Sequence, residues 1–363
     1  MPLKQHFDRL LLGATILQTV AGLAVMTSAS WLIAVERYHR PGTYFLMWQA
    51  AAALIGLGAL VGAMHLRREV LLESRAAWVL LGGCWVLLTA AFLQSPVANT
   101  HRWIRLGGFS MQPSAAARLV LILVLAGSCV RAAESGWTWR RLAVVSVAAG
   151  VTVALVLAEP DLGTAVLLLL VTAGMTLMAG LPWRMIVVPG IAVIVLIAAA
   201  VALSPYRRAR VEAFFSPGTS SAASWQTRQS LIALGSGGVL GKGYGAGLQK
   251  LFFLPEPHTD FIFAIVGEEM GLAGVGILII LATVITWRGL SIAAYQSDRI
   301  LALLAFGLTF AFAIQTVIHI SVCLGLAPPK GIPLPLVSYG KTDLVINLAS
   351  LGILLNLSRE VGV

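Results

Sequence analysis

Charged side chains gather at four places in this sequence, and each place suggests a definite chemistry. The first is His101-Arg102-Trp103-Ile104-Arg105, continuing through Gln112-Pro113-Ser114 to Arg118. Arginines at that density can hold an anion, and an interfacial tryptophan belt with snorkelling arginines gives the same pattern. The second is Glu159-Pro160-Asp161-Leu162-Gly163-Thr164, a tight link between two apolar runs. There Asp161 serves either a substrate or the N-terminal dipole of the next helix. The third is glycine-rich, from Gln229-Ser230 through Gly235-Ser236-Gly237-Gly238 to Gly241-Lys242-Gly243-Tyr244-Gly245. Glycines let backbone N–H groups converge on an anion, and a lysine among them could bind phosphate; a flexible loop is the alternative. It is not a Walker A loop, because Gly243 follows Lys242 where Ser or Thr is required, and no βαβ unit surrounds it as a dinucleotide site demands. The fourth is Leu254-Pro255-Glu256-Pro257-His258-Thr259-Asp260-Phe261, with Glu268 and Glu269 two turns further on in an apolar run. Asp260 reads as a helix cap or as a general base. Two adjacent carboxylates inside an apolar run need a positive partner, since an unpaired charge there is costly or is neutralised. The combination suits a phosphate-bearing substrate with a carboxylate available to take a proton.

The elements that must position these groups are membrane helices. Of 363 residues, 58% are hydrophobic and 11% charged, more apolar surface than a water-soluble core can hold. Runs near the roughly 20 residues needed to cross a bilayer are expected over 10–33, 45–64, 77–93, 115–130, 142–158, 162–180, 185–203, 261–287, 300–322 and 337–357. The expectation is an all-α polytopic membrane protein of about ten transmembrane helices. Residues 1–363 form a single transmembrane domain, with a large extracytoplasmic loop, about 204–260, between helices seven and eight. The first run reads as a retained helix, not a cleaved signal peptide. Lys4, Arg9, Arg67, Arg68, Arg75, Arg131, Arg140, Arg141, Arg184, Arg288, Arg299 and Arg359 fall on one side, against Arg37, Arg40, Arg102, Arg105 and Lys330 on the other. That bias predicts both termini in the cytoplasm. The long loop, which escapes the rule, carries Arg207, Arg208, Arg210, Arg228, Lys242 and Lys250 and reads as an ordered functional loop. The formal charge of +10 lies in short loops between apolar runs, which excludes a nucleic-acid face. Cys84, Cys129 and Cys323 have no metal or disulfide spacing.

The motifs resemble the SEDS family of shape, elongation, division and sporulation proteins, RodA, FtsW and SpoVE, over essentially the whole chain. The resemblance rests on Arg102-Trp103-Ile104 with Gln112-Pro113-Ser114, Glu159 to Thr164, Gly241-Lys242-Gly243, Leu254-Pro255-Glu256 with His258 to Ala264, Glu268-Glu269, and Gly331-Ile332-Pro333-Leu334-Pro335-Leu336-Val337-Ser338-Tyr339-Gly340. It implies a peptidoglycan glycosyltransferase that polymerises lipid II at the outer face of the bacterial cytoplasmic membrane. The implied partners are a class B penicillin-binding protein and membrane lipid. The family's catalytic aspartate falls on Asp260, which would accept the proton of the acceptor sugar hydroxyl as that oxygen attacks the donor's anomeric carbon, with inversion. Substrate contacts are expected at Arg102, Gln112, Arg118, Asp161, Lys242, His258, Glu268 and Ser338. Stabilising the departing pyrophosphate is a task for Arg102, Lys242 and Arg118, and one that suits a divalent cation, magnesium or manganese.

Two positions depart from the family's pattern. A glutamate usually follows Gln-Pro-Ser with a lysine three residues beyond, where this chain has Ala115 and Arg118; and Ser338-Tyr339-Gly340 is followed by Lys341-Thr342-Asp343 where small residues are expected. The expectation is that Asp343 or Glu268 pairs with Arg118, and Lys341 with another outer carboxylate. Two other classes share part of this pattern. One is a flippase for the lipid-linked precursor, which gives no reason for the Asp260 motif; the other is a catalytically impaired scaffold of the division or elongation machinery. Between division and elongation, Gln249 to Glu256 resembles the division protein and Gly331 to Pro335 the elongation protein, with the balance toward division.

Overall fold

In the computed structural model, residues 7–95, 101–106, 109–203, 208, 222–251 and 253–361 are described; Lys4, Arg207 and Arg210 lie outside them. The chain is helical along its apolar runs: α1 (Arg9–Glu36), α2 (Tyr44–Met64), the short α3 (Arg68–Leu72), α4 (Ser74–Ala91), α5 (Pro113–Glu134), α6 (Trp139–Ala158), α7 (Leu162–Met178), α8 (Trp183–Ala202), α9 (Ala222–Ser236), α10 (Ile262–Tyr295), α11 (Arg299–Cys323) and α12 (Lys341–Val361). Polar residues start several of them. Asp8 accepts from the N–H groups of Leu10 and Leu11, Asp298 from those of Ile300 and Leu301, and Thr138 from that of Arg141, which satisfies donors a helix start leaves open. Among the described residues eight helices are long and apolar enough to cross a membrane. The 17-residue α7 and the proline-containing α8 lie where two further spans are expected. This is a multi-pass membrane protein.

Three features depart from the expectation. Residues Ile104–Leu106 (β1) pair antiparallel with Phe109–Met111 (β2), Arg105 opposite Ser110, so the Arg102 cluster is anchored by a hairpin and not only by a tryptophan belt. The described part of the 204–260 segment is α9 followed by turns. α10 extends beyond the expected 287 to Tyr295, and it is broken at Gly271 (φ 63°, ψ −161°). At that break the glycine-rich segment lies against it. Leu272 and Ala273 donate to the carbonyls of Gly238 and Val239 (3.0 and 3.1 Å), and Lys242 and Gly243 donate to those of Glu268 and Glu269 (both 3.0 Å). Irregular backbone at membrane depth must find internal partners, and here each of two interrupted segments satisfies the other. Only glycine fits, since a Cβ on Gly241 would stand 2.2 Å from the Glu269 carbonyl oxygen and Gly241 itself has φ +80°.

Close helix packing follows small residues, as expected where lipid removes the hydrophobic drive between helices. A Cβ at Gly352 of α12 would lie 2.4 Å from the Leu60 carbonyl oxygen of α2, and one at Gly56 of α2 would lie 2.5 Å from Leu348. Both ends of the described chain meet at one end of the bundle. Asp8 N–H donates to Ser358 (3.0 Å), Asp8 pairs with Arg288 (2.6 Å), and Arg68 pairs with Asp298 (2.7 Å). The Asp260 motif lies at the opposite end, where α10 begins.

Candidate active site

Asp260 sits one residue ahead of Phe261, the N-cap of α10, on a turn in which the N–H groups of Thr259 and Asp260 both donate to Glu256 O (3.2 and 3.1 Å). A second irregular stretch, 331–340, holds that turn. Ser338 Oγ donates to Thr259 O (2.6 Å) while accepting from Leu334 N–H (2.8 Å), and Tyr339 N–H donates to His258 O (2.9 Å). Buried polar side chains from three spans bind the same stretch. Gln18 of α1 donates to Pro335 O (3.3 Å), Gln49 of α2 to Ser338 O (3.1 Å) and Gln315 of α11 to Pro333 O (2.9 Å), and His319 Nδ1 meets Ile332 O at 2.8 Å. These four residues explain how a non-helical stretch stays fixed at membrane depth.

The result is that Gly331 lies close to both Asp260 and Arg102. A Cβ there would lie 3.2 Å from Asp260 Oδ2 and 3.7 Å from Arg102 Nη1. Arg102 is in turn 3.6 Å from Asp161 Oδ2, which also receives Gln112 Nε2 (3.3 Å) and Thr164 Oγ1 (2.9 Å), while Oδ1 caps α7 at Thr164 N–H (3.0 Å). Asp161 is thus both a helix cap and the fixture that aims Arg102 and Gln112. Lys330 precedes Gly331; burial lowers its pKa, and the Asp161 charge opposes that shift. Glu159 is fully buried with neither oxygen hydrogen-bonded. Burial first, and then the charge of Asp161, push it up to about 8, so it is mostly the neutral acid at pH 7. His258 is 3% exposed and lies between the rings of Phe45 (4.8 Å) and Tyr339 (5.6 Å); burial, with help from the charge of Arg37, lowers it to about 4. It is a neutral packing group under the Asp260 turn.

Sequence reasoning therefore assembled Asp260, Arg102, Gln112, Asp161 and Ser338 at one place. It missed Glu159, Lys330, Gln18, Gln49, Gln315 and His319 as site residues. For Gln18, Gln49, Gln315 and His319 the available signal is an isolated polar residue within an apolar run; Glu159 and Lys330 lie in links between runs, Glu159 within the second charged cluster. Lys242 and Glu268 belong elsewhere, about 10 Å along α10 by helical rise. Lys242 Nζ pairs with Glu268 Oε1 (2.8 Å), which also accepts from Leu248 N–H (2.9 Å); Glu268 Oε2 accepts from Gln249 N–H (3.0 Å). Glu269 is bound by Lys250, Ser28 and Gly245 N–H. The positive partners the two glutamates demanded are these lysines, and the anion gathered by the glycine-rich loop is the protein's own carboxylate pair. Of the two partners expected for Arg118, the structure selects Asp343 (3.1 Å). Lys341 has a different neighbour from the expected carboxylate, standing 4.9 Å over the ring of Trp48 in a cation–π contact. Among the described residues no three metal-ligating side chains gather.

The sequence profile of the cell cycle protein family, FtsW, RodA and SpoVE, matches residues 8–362. The chain belongs to this family. A probable peptidoglycan glycosyltransferase FtsW of Trichlorobacter lovleyi is 36% identical over 97% of this chain and 93% of its own length. The protein of the same name in Legionella pneumophila is 36% identical over 98% and 91%. Among solved structures, a chain from work on the structural coordination of polymerization and crosslinking by a peptidoglycan synthase complex superposes with a TM-score of 0.79 at 26% identity, covering 98% of each chain. The Thermus thermophilus rod shape determining protein RodA superposes with 0.71 at 25% identity, covering 98% of this chain and 97% of its own. The fold seen here is thus the FtsW/RodA fold.

Proposed function

We propose that this FtsW/RodA-family chain is a peptidoglycan glycosyltransferase that polymerises lipid II, with Asp260 as the general base. The observation that carries the reading is the close approach of Gly331 to both the Asp260 carboxylate and the Arg102 guanidinium. An acceptor hydroxyl at Asp260 would give up its proton to that carboxylate as its oxygen bonds to the anomeric carbon of the donor. The bond from that carbon to the pyrophosphate oxygen breaks on the opposite face, so the configuration inverts. Arg102, held by Asp161, and Lys330 supply fixed positive charge where the pyrophosphate gains negative charge, an arrangement that lowers a barrier because it needs no reorganisation. A divalent cation, if required, would arrive with the pyrophosphate, since the described protein groups form no cage for one.

In this reading the Asp260 end faces the outer leaflet of the bacterial cytoplasmic membrane and both termini lie in the cytoplasm, in line with the distribution of Lys and Arg in the short loops. The partner is a class B penicillin-binding protein that cross-links the product; the role is cell division, to which Gln249 to Glu256 lends the closer resemblance. The test is incubation of the purified chain with labelled lipid II and its penicillin-binding partner, followed by muramidase digestion. Long labelled strands that the muramidase cuts support the reading; precursor that stays monomeric, with the protein folded and the partner bound, overturns it.

A further inference from the structure

Arg118 of α5 is 5% exposed, and Asp343 in the first turn of α12 is 8% exposed. Arg118 Nη2 donates to Asp343 Oδ1 (3.1 Å) and to Asn347 Oδ1 (3.3 Å), and Nη1 donates to Gln315 Oε1. Asp343 Oδ2 accepts from Gln315 Nε2 (3.1 Å) and Asn347 Nδ2 (2.9 Å). Among the described residues Asp343 is the one carboxylate within ion-pair distance of Arg118. The network reaches the site along a short path. Gln315 turns its oxygen to Arg118 and its nitrogen to Asp343, and the same nitrogen donates to Pro333 O (2.9 Å), two residues beyond Gly331. Beside it, Thr342 Oγ1 accepts from Gln112 N–H (3.1 Å), and Gln112 holds Asp161.

We infer that Asp343 is a positioning residue for the transfer reaction: with Arg118 it holds the Gln315 carboxamide, which carries Pro333 and so sets the 331–340 stretch beside Asp260 and Arg102. A primary amide has distinct donor and acceptor ends. With Arg118 on one end and Asp343 on the other, only one orientation of Gln315 satisfies every group, and that orientation is the one that donates to Pro333. Without the Asp343 carboxylate, Arg118 loses its ion-pair partner and Gln315 Nε2 loses one of its two acceptors, so the carboxamide that donates to Pro333 is held less firmly and the 331–340 stretch loses a fixed donor. Buried polar networks act in this all-or-none way because a half-satisfied member is costly. A shift of that stretch moves the Asp260 turn, which Ser338 and Tyr339 hold, relative to Arg102, which changes the transition state and not the lipid's initial binding. The inference rests on the glycosyltransferase reading for its kinetic part and on geometry alone for its structural part.

The test uses the full chain with its penicillin-binding partner. Four forms are compared: wild type, Asp343→Asn, Gln315→Met, and the double variant Arg118→Met with Asp343→Leu, which leaves no lone buried charge. Each is measured for kcat and KM on lipid II, for melting temperature, and for amide hydrogen exchange of the 331–340 segment. The expected result for Asp343→Asn and Gln315→Met is a 10- to 100-fold lower kcat, KM within twofold of wild type and faster exchange at 331–340. The double variant is expected to recover the melting temperature but not kcat. Recovery of both in the double variant would reduce the pair to charge neutralisation and overturn the inference, as would unchanged exchange and kcat in Asp343→Asn. A wild type that makes no strands, with exchange still faster in Asp343→Asn, would overturn the functional reading and leave the positioning contact standing.

Discussion

A single added methyl at Gly331 separates the chemistry of the site from its stability. The Cβ of Gly331→Ala would meet Asp260 Oδ2 at 3.2 Å and Arg102 Nη1 at 3.7 Å, against an unstrained separation of roughly 3.5 Å or more. The carboxylate must then retreat by a few tenths of an ångström. A misplacement of about 1 Å costs about 100-fold in rate, so a shift of roughly half that gives an expected loss of about 10-fold in kcat. Stability moves little. Gly331 is not among the glycines with positive φ, so alanine fits the backbone, and restricting the unfolded chain offsets the contact by about 0.4 to 1 kcal/mol. The assay is strand synthesis from labelled lipid II beside a thermal melt, with the melting temperature expected within about 2 °C of wild type. Full activity in a folded Gly331→Ala protein would show that the position of the Asp260 carboxylate beside Gly331 does not set the rate.

Other perturbations test the surrounding structure. His258 is lowered from 6.5 to about 4 in the folded chain, so its contribution is present above 6.5 and lost as pH falls toward 4; His258→Phe should flatten that acid arm of a melting-temperature profile. Glu159 is raised from 4.5 to about 8, so its contribution is complete below 4.5 and lost as pH rises through 8. Glu159→Gln should melt higher than wild type at pH 9, and a lower melt there would contradict a neutral Glu159. Removing Lys250 strands the buried Glu269 carboxylate, which should cost roughly 3 to 5 kcal/mol. Lys242→Ala, at a partner one-third exposed, should cost less, and the order of the two in denaturant melts decides whether burial governs the clamp.

The spans were legible because a membrane helix announces itself through length and hydrophobicity alone, and Asp260, Arg102, Asp161 and Ser338 were legible through their motifs. What lay beyond the sequence was pairing. Two acids were equally good candidates for Arg118, and only the packing of α5 against α12 chooses Asp343. Charge alone points Lys341 to a carboxylate, whereas Trp48 of α2 offers an aromatic face that no local pattern reveals. The glycine-rich loop looked like an anion cradle and is one, but the anions are Glu268 and Glu269 from the helix it lies against. The break at Gly271 was equally hidden, because the residues that satisfy it, Gly238 and Val239, precede it by more than thirty positions. Gln18, Gln49, Gln315 and His319 stood in plain view within apolar runs, yet their shared target, the 331–340 stretch, exists only in the folded chain.

The most direct measurement is the rate of strand synthesis by Asp260→Asn beside wild type, both purified with the penicillin-binding partner, with lipid II binding and melting temperature measured on the same samples. Asparagine keeps the shape of the side chain and removes its capacity to take a proton. The account predicts unchanged binding and melting with strand synthesis lowered at least about 100-fold, the lower range of what a positioned general base contributes. An Asp260→Asn protein that polymerises lipid II at the wild-type rate would contradict it.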